Sequence, residues 1–141
     1  MPLERLTDDD ARILALESAR VAGHTCKVLV LEPGPEGPID LGQLRRHVEA
    51  RLWRAPRARR LVARTPLGLA PPVWIDDPDF DVEAQITGSE LPAGGSLEGV
   101  AAELMAQRLD HSRPLWHMDL VGPLEDGSFA VIWRIHHAMA R

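Results

Sequence analysis

The chain has almost no sulfur chemistry to offer: Cys26 is its single cysteine in 141 residues. One cysteine excludes an internal disulfide and suits a reducing compartment. Lysine is nearly as scarce, with Lys27 set against fifteen arginines. That imbalance reads as a compositional bias and carries little functional weight. No apolar run approaches the ~20 residues that span a bilayer. The first ten residues are acidic and lack a basic segment followed by an apolar one, so no secretory signal is read. Neither an internal repeat nor a low-complexity segment is present. The net charge of −5 argues against a general nucleic-acid binder, and beyond Trp53 no aromatic residues interleave with the arginines. These absences together point to a cytoplasmic protein.

What is present suffices for one compact domain with its own core, at 45% hydrophobic residues. The spacing predicts a helix over Thr7–Arg20, capped by Thr7 with Asp10 three residues on. His24–Glu32 reads as a strand, apolar on both faces and therefore expected to be central. Pro33–Pro38 is a loop. A second helix is expected from Leu41 to Trp53, with Asp40 as cap, Gln43 completing the capping box, and Leu41, Leu44, Val48 and Leu52 as its apolar stripe. Leu61 and Val62 suggest a short strand. Val73–Ile75 and Phe80–Ile86 look extended around an acidic turn. A third helix is expected over Ser96–Leu109. The last element is a hairpin, Leu115–Val121 and Ser128–His136, turning at Glu125-Asp126-Gly127. Helices alternate with strands while the final hairpin is antiparallel, so the expected class is α/β or α+β, a mixed sheet with flanking helices.

The hairpin delivers two adjacent histidines, His136 and His137, into a segment of small residues just before the sequence ends. Histidine titrates near neutrality and suits general-base work. A sequence ending directly after its best candidate base is expected to be the front part of a longer protein. Period-two alternation puts Phe129, Val131, Trp133, Ile135 and His137 on one face, with Trp116, Met118 and Leu120 of the partner strand. The other face takes Ala130, Ile132, Arg134 and His136, with His117 and Asp119. His137 is thus expected at the end of a buried apolar stripe, and Asp119 to face Arg134 directly or diagonally. The plain alternatives are a packed core histidine for His137 and a surface residue in a polar cluster for His136. Neighbouring histidines on a strand point apart, so no metal site is expected. The dense arginines, Arg45, Arg46, Arg51, Arg54, Arg57, Arg59, Arg60 and Arg64, read first as a solvated face. Attraction to anionic lipid headgroups is the functional alternative. Cys26 reads as core filler.

Longer patterns narrow this. His136-His137-Ala138-Met139-Ala140 resembles the HHxxxDG motif of the superfamily that includes chloramphenicol acetyltransferase and peptide-synthetase condensation domains. Together with Pro72–Asp81, Leu109–Trp116 and Met118–His137, it is similar to the N-terminal part of the bacterial wax ester synthase/diacylglycerol acyltransferase family. The resemblance covers essentially the whole chain. It implies that residues 1–141 are the N-terminal domain of a two-domain acyltransferase, each half a mixed sheet with helices and a channel between them. It implies acyl-CoA as substrate with no bound cofactor, and a long-chain alcohol or diacylglycerol as acceptor. His137 would be the general base and His136 its support. Pro114, Leu115, Trp116 and Trp133 would shape or pack the channel. Partners would be the absent C-terminal half, or a second copy through an exposed apolar face, with peripheral contact at a membrane or lipid droplet. The family pattern has Asp and Gly after Ala140, where this chain has Arg141. In the superfamily that Asp organises the loop, so Arg141 reverses a charge. A non-catalytic lipid-binding or self-associating half-domain is the alternative, and a condensation-like domain is a weaker third.

Overall fold

A computed structural model describes residues 4–16 and 23–139. The chain runs through β1 (Glu4–Arg5), α1 (Asp8–Leu16), β2 (His24–Leu31), α2 (Leu41–Glu49), β3 (Arg60–Ala63), β4 (Val73–Asp76), α3 (Val82–Gln85), β5 (Ile86–Ser89), α4 (Leu97–Ala106), β6 (Trp116–Val121) and β7 (Phe129–His136). Short 3-10 turns, Leu52–Arg54, Pro56–Arg59 and Pro66–Gly68, fill the arginine-rich segment. The expected mixed α/β architecture is present, but its strands form two sheets. β1-β4-β3 is antiparallel throughout. In β2-β7-β6-β5 the last strand joins parallel to β6.

Local chemistry sets the element ends. Thr7 Oγ1 accepts the Asp10 N–H at 3.1 Å. Helix α2 carries the complete capping box: the Gln43 N–H donates to Asp40 Oδ1 at 2.7 Å and the Asp40 N–H to Gln43 Oε1 at 2.9 Å. Ser96 caps α4 by accepting the Gly99 N–H. The β6–β7 turn closes where expected, with Gly127 at φ +82°, a conformation that favours glycine. Asp126 Oδ1 there accepts both the Ser128 N–H and its hydroxyl.

Several expectations need correction. Helix α2 ends at Glu49 rather than Trp53, because the chain tightens into 3-10 turns before Pro56. Phe80–Ile86 is not one extended run: Asp81 Oδ1 accepts the Glu83 N–H and starts the turn of helix α3, and only Ile86 opens a strand. The C-terminal part of the first expected helix lies outside the described residues. Strand β2 is an edge, not a centre, with Val28, Leu29 and Val30 each 43–55% exposed. Its two-sided apolar pattern therefore marks surface left uncovered within this chain. Cys26 on that strand is half-buried, and burial pushes its thiol pKa up.

Two cores result. Leu6, Leu14, Val62, Trp74, Leu109, Leu115 and Ala138 form one, around α1 and the three-stranded sheet. Leu44, Leu52, Ile86, Trp116, Leu120 and Val131 anchor the other, between α2 and the four-stranded sheet. Met139 packs against both, so the segment following β7 lies at their junction.

Candidate active site at the histidine turn

Strand β7 ends at His136, and the next three residues form a turn. Four backbone amides fix it. The His136 N–H donates to Leu115 O, the His137 N–H to Gly23 O and the Met139 N–H to His136 O, each at 2.9 Å. The Ala138 N–H donates to His136 Nδ1 at 3.1 Å. This corrects the expected placement of His137. The turn breaks the period-two alternation before it reaches residue 137, so His137 is exposed rather than continuing the buried stripe. It is His136 that is completely buried, against the surface position considered for it. Accepting the Ala138 N–H assigns His136 a lone pair at Nδ1 and, when neutral, its proton at Nε2. The His111 ring stands edge-on to it, centroids 6.0 Å apart, and His24 is its partner across the β2–β7 ladder.

The face assignments along the hairpin hold, but the polar face is the more deeply covered. Ala130, Ile132, Arg134 and His136 are at most 6% exposed. The Arg134 guanidinium donates to Leu104 O and Gln107 O at the end of α4, where cations suit the helix terminus. Asp119 lies diagonal to Arg134 in register, with Nη2 and Oδ2 3.5 Å apart. His117 Nε2 lies 3.6 Å from Asp119 and 2.9 Å from the Thr87 hydroxyl.

The apolar face opens instead onto a cavity of about 960 Å³. Trp116, Met118, Trp133 and Ile135 form its floor, with Val48 and Leu52 opposite. Ile135 and Met139, two residues to either side of His137, both line it; His137 itself does not. At the mouth, Arg57 and Arg60 hold the Glu4 carboxylate. The hydrogen bond from Arg57, reinforced by the charges of Arg57 and Arg60, keeps the Glu4 pKa below its ordinary value. Arg57 also lies over the Trp74 ring, Arg59 over Phe80, and Arg45 donates to Ile86 O. The basic stretch is thus partly absorbed into the fold rather than wholly solvated. Near His111, Asp110 is likewise held below the usual carboxylate range by hydrogen bonds from the Ser112 hydroxyl and backbone.

Of the residues singled out, Trp116 and Trp133 line the cavity, while Pro114 and Leu115 are buried beside the turn. The Trp116 indole N–H donates to Ala58 O at 2.8 Å and ties the cavity mouth to the sheet. Gln85 escaped notice. It is 2% exposed, and its amide donates to Pro114 O at 3.1 Å and Trp116 O at 2.6 Å. The available signal was one polar residue between Ala84 and Ile86. Among the described residues no group of three His, Cys, Asp or Glu side chains could hold a metal ion.

The family model for the wax ester synthase/diacylglycerol acyltransferase catalytic domain matches residues 6–141. A Mycobacterium tuberculosis protein named as a probable diacylglycerol O-acyltransferase, tgs3, is 40% identical over 138 residues, 96% of this chain and 51% of its own length. A second from the same organism, similarly named and called tgs1, is 33% identical over 144 residues, 98% of this chain and 30% of its own. The chain thus spans about half the length of the first relative and about a third of the second. Among solved structures, the wax ester synthase/diacylglycerol acyltransferase of Marinobacter aquaeolei VT8 superposes with a TM-score of 0.77 at 23% identity, over 96% of this chain and 35% of that one. The starter condensation domain of rhizomide synthetase superposes at 0.70 with 16% identity, over 99% and 34%. At such identities these two establish the fold alone.

Proposed function

The chain belongs to the wax ester synthase/diacylglycerol acyltransferase catalytic-domain family, and from that premise we propose that its whole protein transfers an acyl group from acyl-CoA to the hydroxyl of a long-chain alcohol or diacylglycerol. His137 acts as the general base. Its ring takes the hydroxyl proton as the acceptor oxygen bonds to the thioester carbonyl carbon. The tetrahedral intermediate expels the CoA thiolate, which recovers that proton from His137. No acyl-enzyme forms, acyl-CoA enters as substrate, and no resident cofactor takes part. His136 supports the turn from beneath. Trp116 and Trp133 shape the acyl channel, and Pro114 and Leu115 pack its wall. The observation that carries this reading is the placement of an exposed histidine on a fully bonded turn whose flanking residues, Ile135 and Met139, line a large apolar cavity. Those two neighbours support reading His137 as a base that serves a space suited to a hydrocarbon chain.

In this reading residues 1–141 are the N-terminal domain, and a C-terminal half supplies the other wall of the channel. The uncovered apolar edge of β2 supports a partner there and equally favours the second reading, a half-domain that self-associates or holds lipid without turnover. The protein works in the cytoplasm, with peripheral contact at a lipid surface; no helix among the described residues is long and apolar enough to cross a membrane. The test is His137→Ala in the whole protein, assayed for transfer from acyl-CoA to alcohol and diacylglycerol. Loss of a positioned base lowers kcat by about 10²–10⁴-fold. Undiminished transfer would remove the mechanism. Robust transfer by residues 1–141 alone would remove the two-wall reading, since positioning two substrates is worth ~7–11 kcal/mol.

A further inference from the structure

The histidine turn hangs on the segment Pro114–Trp116. Leu115 is the middle of a tight three-residue turn in which the Trp116 N–H bonds Pro114 O at 2.9 Å. The Leu115 carbonyl, outside that ring, takes the His136 N–H at 2.9 Å. Pro114 brings no N–H, and helix α3 is a single turn, so backbone pairing from that side is scant. Gln85, the last residue of that helical turn, fills the gap. One side-chain nitrogen reaches both Pro114 O and Trp116 O, the carbonyls on either side of Leu115. The Gln85 side chain is buried, and its amide joins the Trp116 N–H on Pro114 O while also reaching Trp116 O. Trp116 is tied on its other side through its indole to Ala58.

We propose that Gln85 is a positioning residue for the histidine turn: by pinning the carbonyls of Pro114 and Trp116 it aims the Leu115 carbonyl at His136 and so fixes where His137 stands. For catalysis this rests on the reading of His137 as the base; the positioning itself does not. The chemistry required at residue 85 is a neutral donor of Gln length. Methionine matches the length but donates nothing. Glutamate matches the shape but turns a carboxylate towards two carbonyl oxygens. Histidine can return one ring N–H.

The experiment is amide hydrogen exchange on the 141-residue chain carrying Gln85→Met or Gln85→His, with Gln85→Asn, which withdraws the amide by one methylene, as the milder variant should Gln85→Met not fold. Exchange at His136 and Ala138 should quicken in Gln85→Met by on the order of 10–100-fold, the cost of losing the two Gln85 hydrogen bonds expressed locally. The β6–β7 ladder around Leu120 and Val131 should keep its protection, and Gln85→His should recover part of the loss. Unchanged exchange at His136 and Ala138, or a rise of equal size along the whole ladder, overturns the proposal. In the whole protein the same variant should lower kcat with little change in KM for acyl-CoA. If His137→Ala proves fully active, the catalytic reading falls while the exchange result still judges Gln85 as an anchor of the turn.

Discussion

Trp116 and Trp133 line the same cavity from neighbouring strands, yet their indole nitrogens have opposite fates, and this makes their replacement by Phe a controlled comparison. The Trp116 N–H donates to Ala58 O at 2.8 Å within the core. Trp133 Nε1 is buried and finds no hydrogen-bond partner among the described residues. Trimming either indole to a phenyl ring removes roughly 40 Å² of buried apolar surface, about 1 kcal/mol at ~25 cal/mol per Å². At Trp116 the change also strands a buried carbonyl, costing about 1–3 kcal/mol more. Trp116→Phe should therefore destabilise the chain by about 2–4 kcal/mol. At Trp133 the change removes an unsatisfied donor, relieving ~1 kcal/mol and offsetting the lost packing, so Trp133→Phe should fall near zero, within ~1 kcal/mol. Urea denaturation would show this as a shift of midpoint at constant slope, on the order of 1 M or more for Trp116→Phe and a few tenths for Trp133→Phe. Equal shifts, or the larger one at Trp133, would refute the view that the indole–Ala58 bond is what joins the cavity mouth to the sheet.

Three further outcomes are expected. Glu4 has its pKa depressed from 4.5, chiefly by the Arg57 hydrogen bond, so its contribution is complete above that pH and is lost as pH falls through the lower folded value; Glu4→Gln should flatten the acid limb of the stability curve below pH 4.5, and an unaltered limb would deny the Glu4 clamp. Asp119→Leu leaves the buried Arg134 guanidinium facing only carbonyls and should cost about 3 kcal/mol, with part recovered in Asp119→Leu/Arg134→Met; strict additivity in the double-mutant cycle would mean that the 3.5 Å pair is not coupled. Sedimentation of residues 1–141 at micromolar concentration should show association through β2, abolished by Leu29→Lys; a monomer in both cases would leave the exposed edge without a partner.

How far the sequence carried depends on which physical signal each element sends. Capping chemistry is local, so Asp40, Gln43 and Thr7 declared their helix starts correctly. Alternation is also local, and the β6–β7 faces, the Gly127 turn and the Asp119–Arg134 diagonal followed from it. What alternation cannot report is which face is covered, or where pairing stops. Strand β2 reads the same whether flanked on both sides or exposed along one edge, because the distinction lies in strand order. The polar face of β7 looked like surface, but α4 lies across it, and Arg134 is buried there by bonding the helix's own carbonyls.

The same limit explains the histidines. Periodicity carried His137 one step too far, since a side chain, His136 Nδ1, captures the Ala138 amide and ends the strand. The motif was nonetheless informative about the pair, because the two rings occupy opposite environments: His136 is buried and bonded within the turn, and His137 is exposed. Gln85 went unseen for a different reason. Its partners are carbonyls about thirty residues away, and carbonyls have no letter in a sequence. A buried glutamine between Ala84 and Ile86 announces only that something distant must satisfy it. Here that something is the segment holding the histidine turn, which makes an unremarkable polar residue in an apolar run the most economical place to disturb the site without touching either histidine.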